Sequence, residues 1–218
     1  MDTALEKNWE VYALKYAVRS DRTRKDSFIF DDHSNDNHTI DYFIWVLKSE
    51  DSIIVVDTGF DYDEAKRRNI PIERSPSEAL KFININSADV TDVIITHLHY
   101  DHAGGLSEFP KANFHLQEDE MAYATGPCMC HETIKKPFTG EHVCQMVRSL
   151  YSGRVVFHNG IGSIQPGVTV HLIGGHSRGL QSVRVKTESG YMCLASDATH
   201  FYENFLTGKP FPIVIDLE

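Results

Sequence analysis

One short polar run, placed directly after an apolar strand-like segment, limits what this chain can fold into more than any other feature. Residues 93–96 are rich in β-branched side chains, and His97, His99, Asp101 and His102 follow them before a pair of glycines. Residues two apart in extended backbone point to the same side, so His97 and His99 can converge on one ion, while Asp101 and His102 can face a second. Imidazole and carboxylate are ligands that zinc accepts readily. Since four such groups are costly to desolvate without a partner, the run predicts a metal site.

Two further polar side chains follow strand-like runs later in the chain. His176 comes after an apolar run and a glycine pair, and Asp197 comes after another apolar run. Read alone, His176 is equally consistent with a loop histidine, and Asp197 with a helix cap. Their shared position at strand ends favours two more metal ligands. Asp57, which follows residues 53–56, is expected to orient a metal-bound histidine without touching the ion; a turn aspartate closed by Gly59 is the alternative.

Composition is that of an ordinary globular protein. Of 218 residues, 41% are hydrophobic and 24% are charged, and the length predicts a single domain spanning residues 1–218. The formal net charge of −10 argues against nucleic-acid binding, which usually requires a basic face. No apolar run approaches the ~18–20 residues of a membrane span. With four cysteines and no visible signal peptide, we expect reduced thiols, a cytoplasmic location and no membrane partner.

Strand-like and helical patterns alternate along the sequence and predict an α/β (α+β) protein. The predicted strands are residues 11–18, 40–48, 52–56, 93–96, 113–116, 154–158, 168–173, 181–187 and 191–195, and the predicted helices are residues 61–69, 77–84, 117–124 and 141–151. Residues 19–38 are polar and are expected to form a solvated surface loop, with a flap over the site as the alternative. The acidic residues Glu118 to Glu120 are expected to lie on a solvated helix face.

The spacing of the polar residues resembles that of a known family. The run from His97 to His102 has the H-x-H-x-D-H pattern of the metallo-β-lactamase superfamily, and Asp57-Thr58-Gly59, Gly175-His176 and Ser196-Asp197 match its other motifs in the expected order. Within that superfamily the chain is most similar to the N-acyl-homoserine lactonase branch. The resemblance implies the metallo-β-lactamase fold, an αββα sandwich of two mixed sheets flanked by helices.

The resemblance also implies a ligand set and a reaction. His97, His99 and His176 would hold one zinc ion, Asp101 and His102 a second, and Asp197 would bridge both; other divalent metals are compatible with these ligands. The implied activity is opening of the lactone ring of N-acyl-homoserine lactones by a hydroxide that bridges the two metals, with Asp101 carrying the proton. The implied partner is a small-molecule lactone, and a homodimer is compatible with the family.

The sequence departs from the family pattern in two places. The lactonase branch commonly has a tyrosine three residues after the bridging aspartate, where this chain has His200, which is expected to contact the carbonyl or the leaving oxygen of the lactone. The family also supplies a last histidine ligand from a Gly-His segment near its C-terminus, and no counterpart follows His200. The pattern therefore predicts either that the C-terminal end of the fold is missing or that the second metal is weakly held, unless His200 or a neighbouring subunit replaces that ligand.

Other activities compete with the lactonase interpretation. A glyoxalase-II-like thioester hydrolase shares every metal ligand named above, and so do other lactonases, so only the substrate pocket separates these activities. A protein that binds metal or an acyl ligand without turnover is the non-enzymatic alternative. Six candidate ligands for two ions leave coordination positions open, which favours catalysis over a closed structural site.

Overall fold

Six strands form the larger of two sheets in the computed structural model, which describes residues 7–217 of the chain. The strands lie in sequence order and are β1 (Glu10–Arg19), β2 (Ile40–Lys48), β3 (Ile53–Val56), β4 (Asp92–Ile94), β5 (Asn113–Gln117) and β6 (Val155–His158). The pairs from β1 to β3 are antiparallel, whereas those from β3 to β6 are parallel. Because parallel neighbours end at the same edge, Asp57 after β3 and His97 beyond β4 emerge on one side of the sheet.

The second sheet contains four strands, all paired antiparallel. They are β7 (Ile161–Gln165), β8 (Val168–Leu172), β9 (Gln181–Thr187) and β10 (Gly190–Leu194), in the order β10-β9-β8-β7. The predicted two-sheet architecture is confirmed, although only the first sheet is mixed, because short hairpin connections join antiparallel strands alone. Since β8 and β10 both pair with β9, they run in the same direction and carry His176 and Asp197 to one edge.

Apolar side chains fill the two faces of the first sheet. The helices are α1 (Tyr62–Arg68), α2 (Pro76–Lys81), α3 (Glu118–Ala124), α4 (Glu132–Lys135), α5 (Gly140–Tyr151) and α6 (Tyr202–Thr207). Leu80 of α2 and Met146 of α5 share one fully buried cluster with Val93, whereas the adjacent Ile94 joins Val183 in the cluster between the sheets. Successive strand side chains point to opposite faces, so β4 contributes to both clusters.

A glutamine holds the two sheets together at the edge where the polar residues emerge. The backbone N–H of Gln181 donates to the carbonyl of Thr96 at 3.0 Å. Its side-chain amide donates to the carbonyl of Ile95 at 2.8 Å, and its amide oxygen accepts from Gln117 at 2.9 Å. These hydrogen bonds fix the loop that follows β4 against the start of β9.

All the predicted strands and helices are present, with boundaries within three residues of those predicted, but β7, α4 and α6 were not predicted. β7 contains Gly162, which breaks a strand pattern; a Cβ there would lie 2.1 Å from Nδ1 of His158, so a larger residue would displace the His158 ring. The short helix α6 buries Asn204 and leaves Phe205 and Leu206 each 76% exposed. Its apolar residues therefore do not face the core, and hydrophobic periodicity could not reveal it.

The polar segment of residues 19–38 packs against α6. Ser27 and Phe28 are buried, and the Ser27 carbonyl accepts from the Asn204 side chain at 2.9 Å. Arg24 forms ion pairs with Asp31 and with Glu203. The prediction of a solvated surface loop is therefore wrong for the middle of this segment, and a role as a flap stays a prediction.

The prediction for the acidic residues of α3 is also partly wrong. Glu118 and Asp119 are exposed, but Glu120 is fully buried. Helical spacing explains the difference, because Glu120 lies three and four residues before the buried Tyr123 and Ala124 and shares their face of the helix.

The four cysteines are free thiols, as expected. Within residues 7–217, none of the helices has the length and apolar character needed to cross a bilayer.

Candidate metal centre

Three buried histidines meet where the loops after β4 and β8 come together. His97, His99 and His176 are at most 5% exposed, and their ligand atoms lie within 4.8 Å of one another. The closest approach is 2.9 Å, between Nε2 of His176 and Nδ1 of His99. Nδ1 of His176 lies 2.6 Å from the carbonyl oxygen of Ile213, which fixes its ring. Nε2 of His97 is buried without a hydrogen-bond partner among the described residues.

The carboxylate of Asp197 lies at the centre of the histidine cluster. Its Oδ2 is 3.0 Å from Nε2 of His200, 3.2 Å from Nε2 of His176, 3.4 Å from Nε2 of His102 and 3.8 Å from Nε2 of His97. Two ligands bound to one zinc at about 2.0–2.2 Å from the ion lie roughly 3–3.5 Å apart, so this spacing is compatible with shared coordination.

Asp101 lies at the margin of the cluster. Its Oδ2 is 3.9 Å from Nε2 of His102, and it belongs to none of the three groups of mutually close ligand atoms among the described residues. Those groups are His97 with His99 and His176, His97 with His102 and Asp197, and His176 with Asp197 and His200.

Asp57 contacts His102 from the side opposite the cluster. Its Oδ2 lies 2.7 Å from Nδ1 of His102, and its Oδ1 accepts from the backbone N–H of Thr96 at 2.8 Å. The Thr96 hydroxyl lies 2.9 Å from Oδ2 of Asp57 and accepts from the Ser196 hydroxyl at 2.8 Å. Asp57 adopts a φ of +64°, a conformation that non-glycine residues rarely adopt. These contacts place Asp57 against the nitrogen of His102 that faces away from the cluster, and its orienting role stays a prediction.

Burial and neighbouring charges give the histidines different proton affinities. Burial, reinforced by the neighbouring imidazoles, lowers the pKa of His97 and of His99 well below the ordinary value. Burial also opposes the charge on His102, but Asp197, Asp57 and Asp101 together raise its pKa well above the ordinary value. His97 and His99 are therefore neutral at neutral pH, with lone pairs available to a metal.

The two aspartates of the cluster differ in the same way. Burial disfavours ionisation of Asp197, but His200, His102 and His176 lower its pKa well below the ordinary value. Burial raises the pKa of Asp101. The centre thus contains one carboxylate that is firmly ionised and a second that holds a proton more readily.

His200 is oriented by an aromatic neighbour. Its ring stacks on Phe211 with centroids 3.5 Å apart and planes inclined by 6°, and the guanidinium of Arg22 lies 5.4 Å from the Phe211 ring. Nε2 of His200 approaches Asp197, as described above, so the residue borders the cluster instead of lying apart from it.

The donor set fits divalent metal ions. Five imidazoles and the Asp197 carboxylate converge in a buried volume, and the unpartnered Nε2 of His97 points to a missing electropositive partner. Without such a partner, burying these groups would be unfavourable.

A cavity opens beside the loop that carries His176. It has a volume of about 410 Å³ and lies beside Gly174 and Gly175, which directly precede His176. Tyr123, Ile134 and Ile173 contribute apolar walls, and Arg178 and Asp216 contribute charged groups.

The sequence did not single out Thr96 as part of the site. Thr96 touches Asp57, His97, His102 and Ser196 through one hydroxyl group. Its position as the last residue before the H-x-H-x-D-H run was the only available signal, since threonine is common in strands for other reasons.

Comparison with known proteins places this centre in a family. The family model described as the metallo-beta-lactamase superfamily matches residues 41–216. The chain therefore belongs to the metallo-β-lactamase superfamily, whose fold the two-sheet architecture matches.

Individual relatives include two kinds of hydrolase. An N-acyl homoserine lactonase of Bacillus cereus is 27% identical over 183 residues, which cover 77% of this chain and 67% of that protein. A hydroxyacylglutathione hydrolase of Saccharophagus degradans is 28% identical over 103 residues, which cover 46% of this chain and 32% of that protein.

The fold is similar to that of solved lactone hydrolases. An N-acyl homoserine lactone hydrolase, solved with the product N-hexanoyl-L-homoserine bound at its catalytic metal centre, superposes with a TM-score of 0.79 at 21% identity. The match covers 98% of this chain and 84% of that chain.

Proposed function

We propose that this chain is a metal-dependent lactonase that opens the ring of N-acyl homoserine lactones and thereby removes quorum-sensing signals. The observation that carries the proposal is the approach of one carboxylate oxygen of Asp197 to four imidazole nitrogens at the edge shared by both sheets. The similarity to lactonases over most of the chain supports the choice of substrate.

The proposed centre holds two divalent ions, with zinc the metal that this donor set favours. His97, His99 and His176 would hold one ion, His102 and Asp101 would hold the other, and Asp197 would contribute to both. When bound, such ions polarise an ester carbonyl and lower the pKa of a water molecule to about 7.

The side chains around the centre supply proton transfer and orientation. Asp101, which lies beside His102, would pass a proton to the ring oxygen as the ester bond to the carbonyl carbon breaks. His200, whose ring plane Phe211 fixes, donates a hydrogen bond to the carbonyl or the leaving oxygen. Asp57 accepts from Nδ1 of His102 and directs its other nitrogen toward the centre.

The cavity beside Gly174 and Gly175 is the proposed place for the acyl chain. Its walls include Tyr123, Ile134 and Ile173, which suit an aliphatic chain, and Arg178 offers a donor for the amide carbonyl.

A thioester hydrolase is the second candidate. The match to a hydroxyacylglutathione hydrolase supports it, although that match covers a smaller share of both proteins than the lactonase match. The two activities differ in substrate rather than in the metal ligands.

The decisive experiment compares both substrates on the purified, zinc-loaded chain. N-hexanoyl-L-homoserine lactone hydrolysis is followed by proton release, and 2-hydroxyacyl glutathione hydrolysis is followed by release of the thiol. We expect turnover of the lactone, and we expect His102→Ala or Asp101→Ala to lower kcat/KM by at least about 100-fold with the fold retained by circular dichroism.

His33→Ala serves as the matched control, since His33 is an exposed histidine with a side chain 75% accessible. Turnover of the thioester alone would favour the second candidate. Near-normal lactone turnover by His102→Ala would contradict the proposed centre.

A further inference from the structure

A buried carboxylate outside the ligand set connects the two loops that carry the three-histidine group. Glu120, in the first turn of α3, is fully buried. Its Oε1 accepts from the backbone N–H of Leu98 at 2.8 Å, and its Oε2 accepts from the backbone N–H of Gly179 at 2.9 Å. The hydroxyl of Ser177 lies 2.8 Å from Oε1 and 2.6 Å from Oε2.

These anchor points are adjacent in sequence to the candidate ligands. Leu98 separates His97 from His99, and Ser177 directly follows His176. One carboxylate therefore holds both loops close to the positions from which the three imidazoles project, through the backbone N–H groups of Leu98 and Gly179 and the hydroxyl of Ser177.

The surroundings of Glu120 are built for this contact. A Cβ at Gly179 would lie 2.1 Å from the backbone nitrogen of Glu120, so glycine allows the loop to approach the start of α3. Among the described residues, Glu120 has no Lys, Arg or His within ion-pair distance, and its oxygens are satisfied by the donors of these two loops. Burying a carboxylate is costly, and here the hydrogen bonds from the two loops offset that cost. An apolar residue would fill the same space without it.

We propose that Glu120 is a positioning residue for the metal centre, which sets the distance between the His97–His99 loop and the His176 loop. The role rests on the metal site proposed above, and Glu120 acts through the backbone without touching the ion. This role differs from core packing because Glu120 determines the relative positions of the three imidazoles.

Glu120→Gln tests the role because it keeps the side-chain volume and removes one acceptor. The amide group has a single oxygen, so its NH2 end faces a backbone N–H of Leu98 or Gly179 that it cannot accept from. We expect zinc affinity, measured by competition with a chelating dye, to fall about 10–100-fold, and the visible absorption spectrum of the cobalt-substituted chain to change in intensity and position.

Val185→Ala is the control for a purely structural effect. Val185 is fully buried between the sheets on β9, away from both loops. We expect this variant to lower the stability of the metal-free chain while leaving zinc affinity and the cobalt spectrum as in the wild type. Ser177→Ala removes a single donor and provides a milder variant, with a smaller loss of affinity, should Glu120→Gln not fold.

The outcomes separate the two proposals. Wild-type zinc affinity and an unchanged cobalt spectrum in both Glu120→Gln and Ser177→Ala would overturn the positioning role alone, and so would an equal loss of affinity in Val185→Ala. A wild-type chain that takes up neither zinc nor cobalt would overturn the metal site itself, and the positioning role with it.

Discussion

At the scale of single residues, the site depends on side chains whose backbone is held in unfavourable conformations. Asp57 and Ser196 both have positive φ, at +64° and +49°, and the two contact the same Thr96 hydroxyl. Such conformations cost on the order of 1 kcal/mol or more and persist when surrounding contacts fix them. Here the hydrogen bonds of the Asp57 carboxylate to Thr96 and His102 supply those contacts.

Asp57→Asn is therefore expected to weaken metal binding without unfolding the chain. The asparagine keeps the shape but offers one acceptor oxygen, so either the Thr96 N–H or Nδ1 of His102 loses its partner. We expect zinc affinity to fall about 10–100-fold in a competition titration.

Asp61→Asn is the matched control for that change. Asp61 caps α1 by accepting from the Glu64 N–H at 2.8 Å, and asparagine caps helices about as well as aspartate. Equal zinc affinities of Asp57→Asn and the wild type would show that Asp57 does not orient His102.

The site residues that could be predicted from the sequence are those marked by a pattern within a short stretch of chain. The alternation of His97 and His99 after a strand run is a local pattern, and the structure brings both together with His176 and Asp197. Glu120 lies in an acidic stretch that is typical of solvent, and only its helical phase relative to Tyr123 indicated burial. The contacts of Glu120 with Leu98 and Gly179 are tertiary, so no local pattern could reveal them.

At the scale of elements, α6 and the segment of residues 19–38 stabilise each other beside the metal centre. Asn204 of α6 donates to the carbonyls of Ser27 and Lys209 at 2.9 and 2.8 Å, and its oxygen accepts from the Phe201 N–H at 3.0 Å. The ring of Phe201 also contacts His38 with centroids 4.6 Å apart. Neither element buries an amphipathic face of its own. The spacing of apolar residues therefore did not predict α6 or the buried part of the segment.

Asn204→Ala should release the segment of residues 19–38 from α6. Loss of three hydrogen bonds at a buried position is expected to lower the free energy of unfolding by about 1–3 kcal/mol. The released segment contains Arg22, Arg24 and Lys25, so limited trypsin digestion should cut it faster than in the wild type.

The exposed Thr207 on the same helix gives the control variant Thr207→Ala, for which we expect wild-type digestion. Unchanged cleavage in Asn204→Ala would show that the ion pairs of Arg24 hold the segment without Asn204.

At the scale of the whole molecule, a charge cluster links α1 to the segment that precedes α5. Glu64 accepts from Arg67, from Arg68 and from the Thr139 hydroxyl. Burial opposes ionisation of Glu64, but these hydrogen bonds lower its pKa to about 2. The carboxylate therefore stabilises the folded chain fully above its unfolded pKa of about 4.3, and this contribution is lost as the pH falls through 2.

Glu64→Gln should lower the free energy of unfolding at neutral pH. In acid, the difference in this free energy between the variant and the wild type should become smaller. We expect a difference of about 1 kcal/mol at pH 7, allowing for solvent screening, that shrinks between pH 5 and pH 2. Urea unfolding at a series of pH values measures it.

Glu132→Gln is the control, because the Glu132 side chain is 86% exposed and its ion pair with Lys135 contributes little. A difference for Glu64→Gln that stayed constant down to pH 2 would show that the carboxylate charge is not the stabilising feature.

The distribution of the proposed ligands over two sheets has a consequence for the order of events when the chain folds. His97, His99 and His102 follow a strand of the six-stranded sheet, whereas His176 and Asp197 follow strands of the four-stranded sheet. Two of the three ligand groups, His97 with His99 and His176 and His97 with His102 and Asp197, draw on both sheets. Contacts between residues so distant in sequence form late because closing long loops is entropically costly. An ion captured at this centre would thus bind only after the sheets have docked, so metal uptake would mark the last step of folding and would disfavour separation of the two layers thereafter.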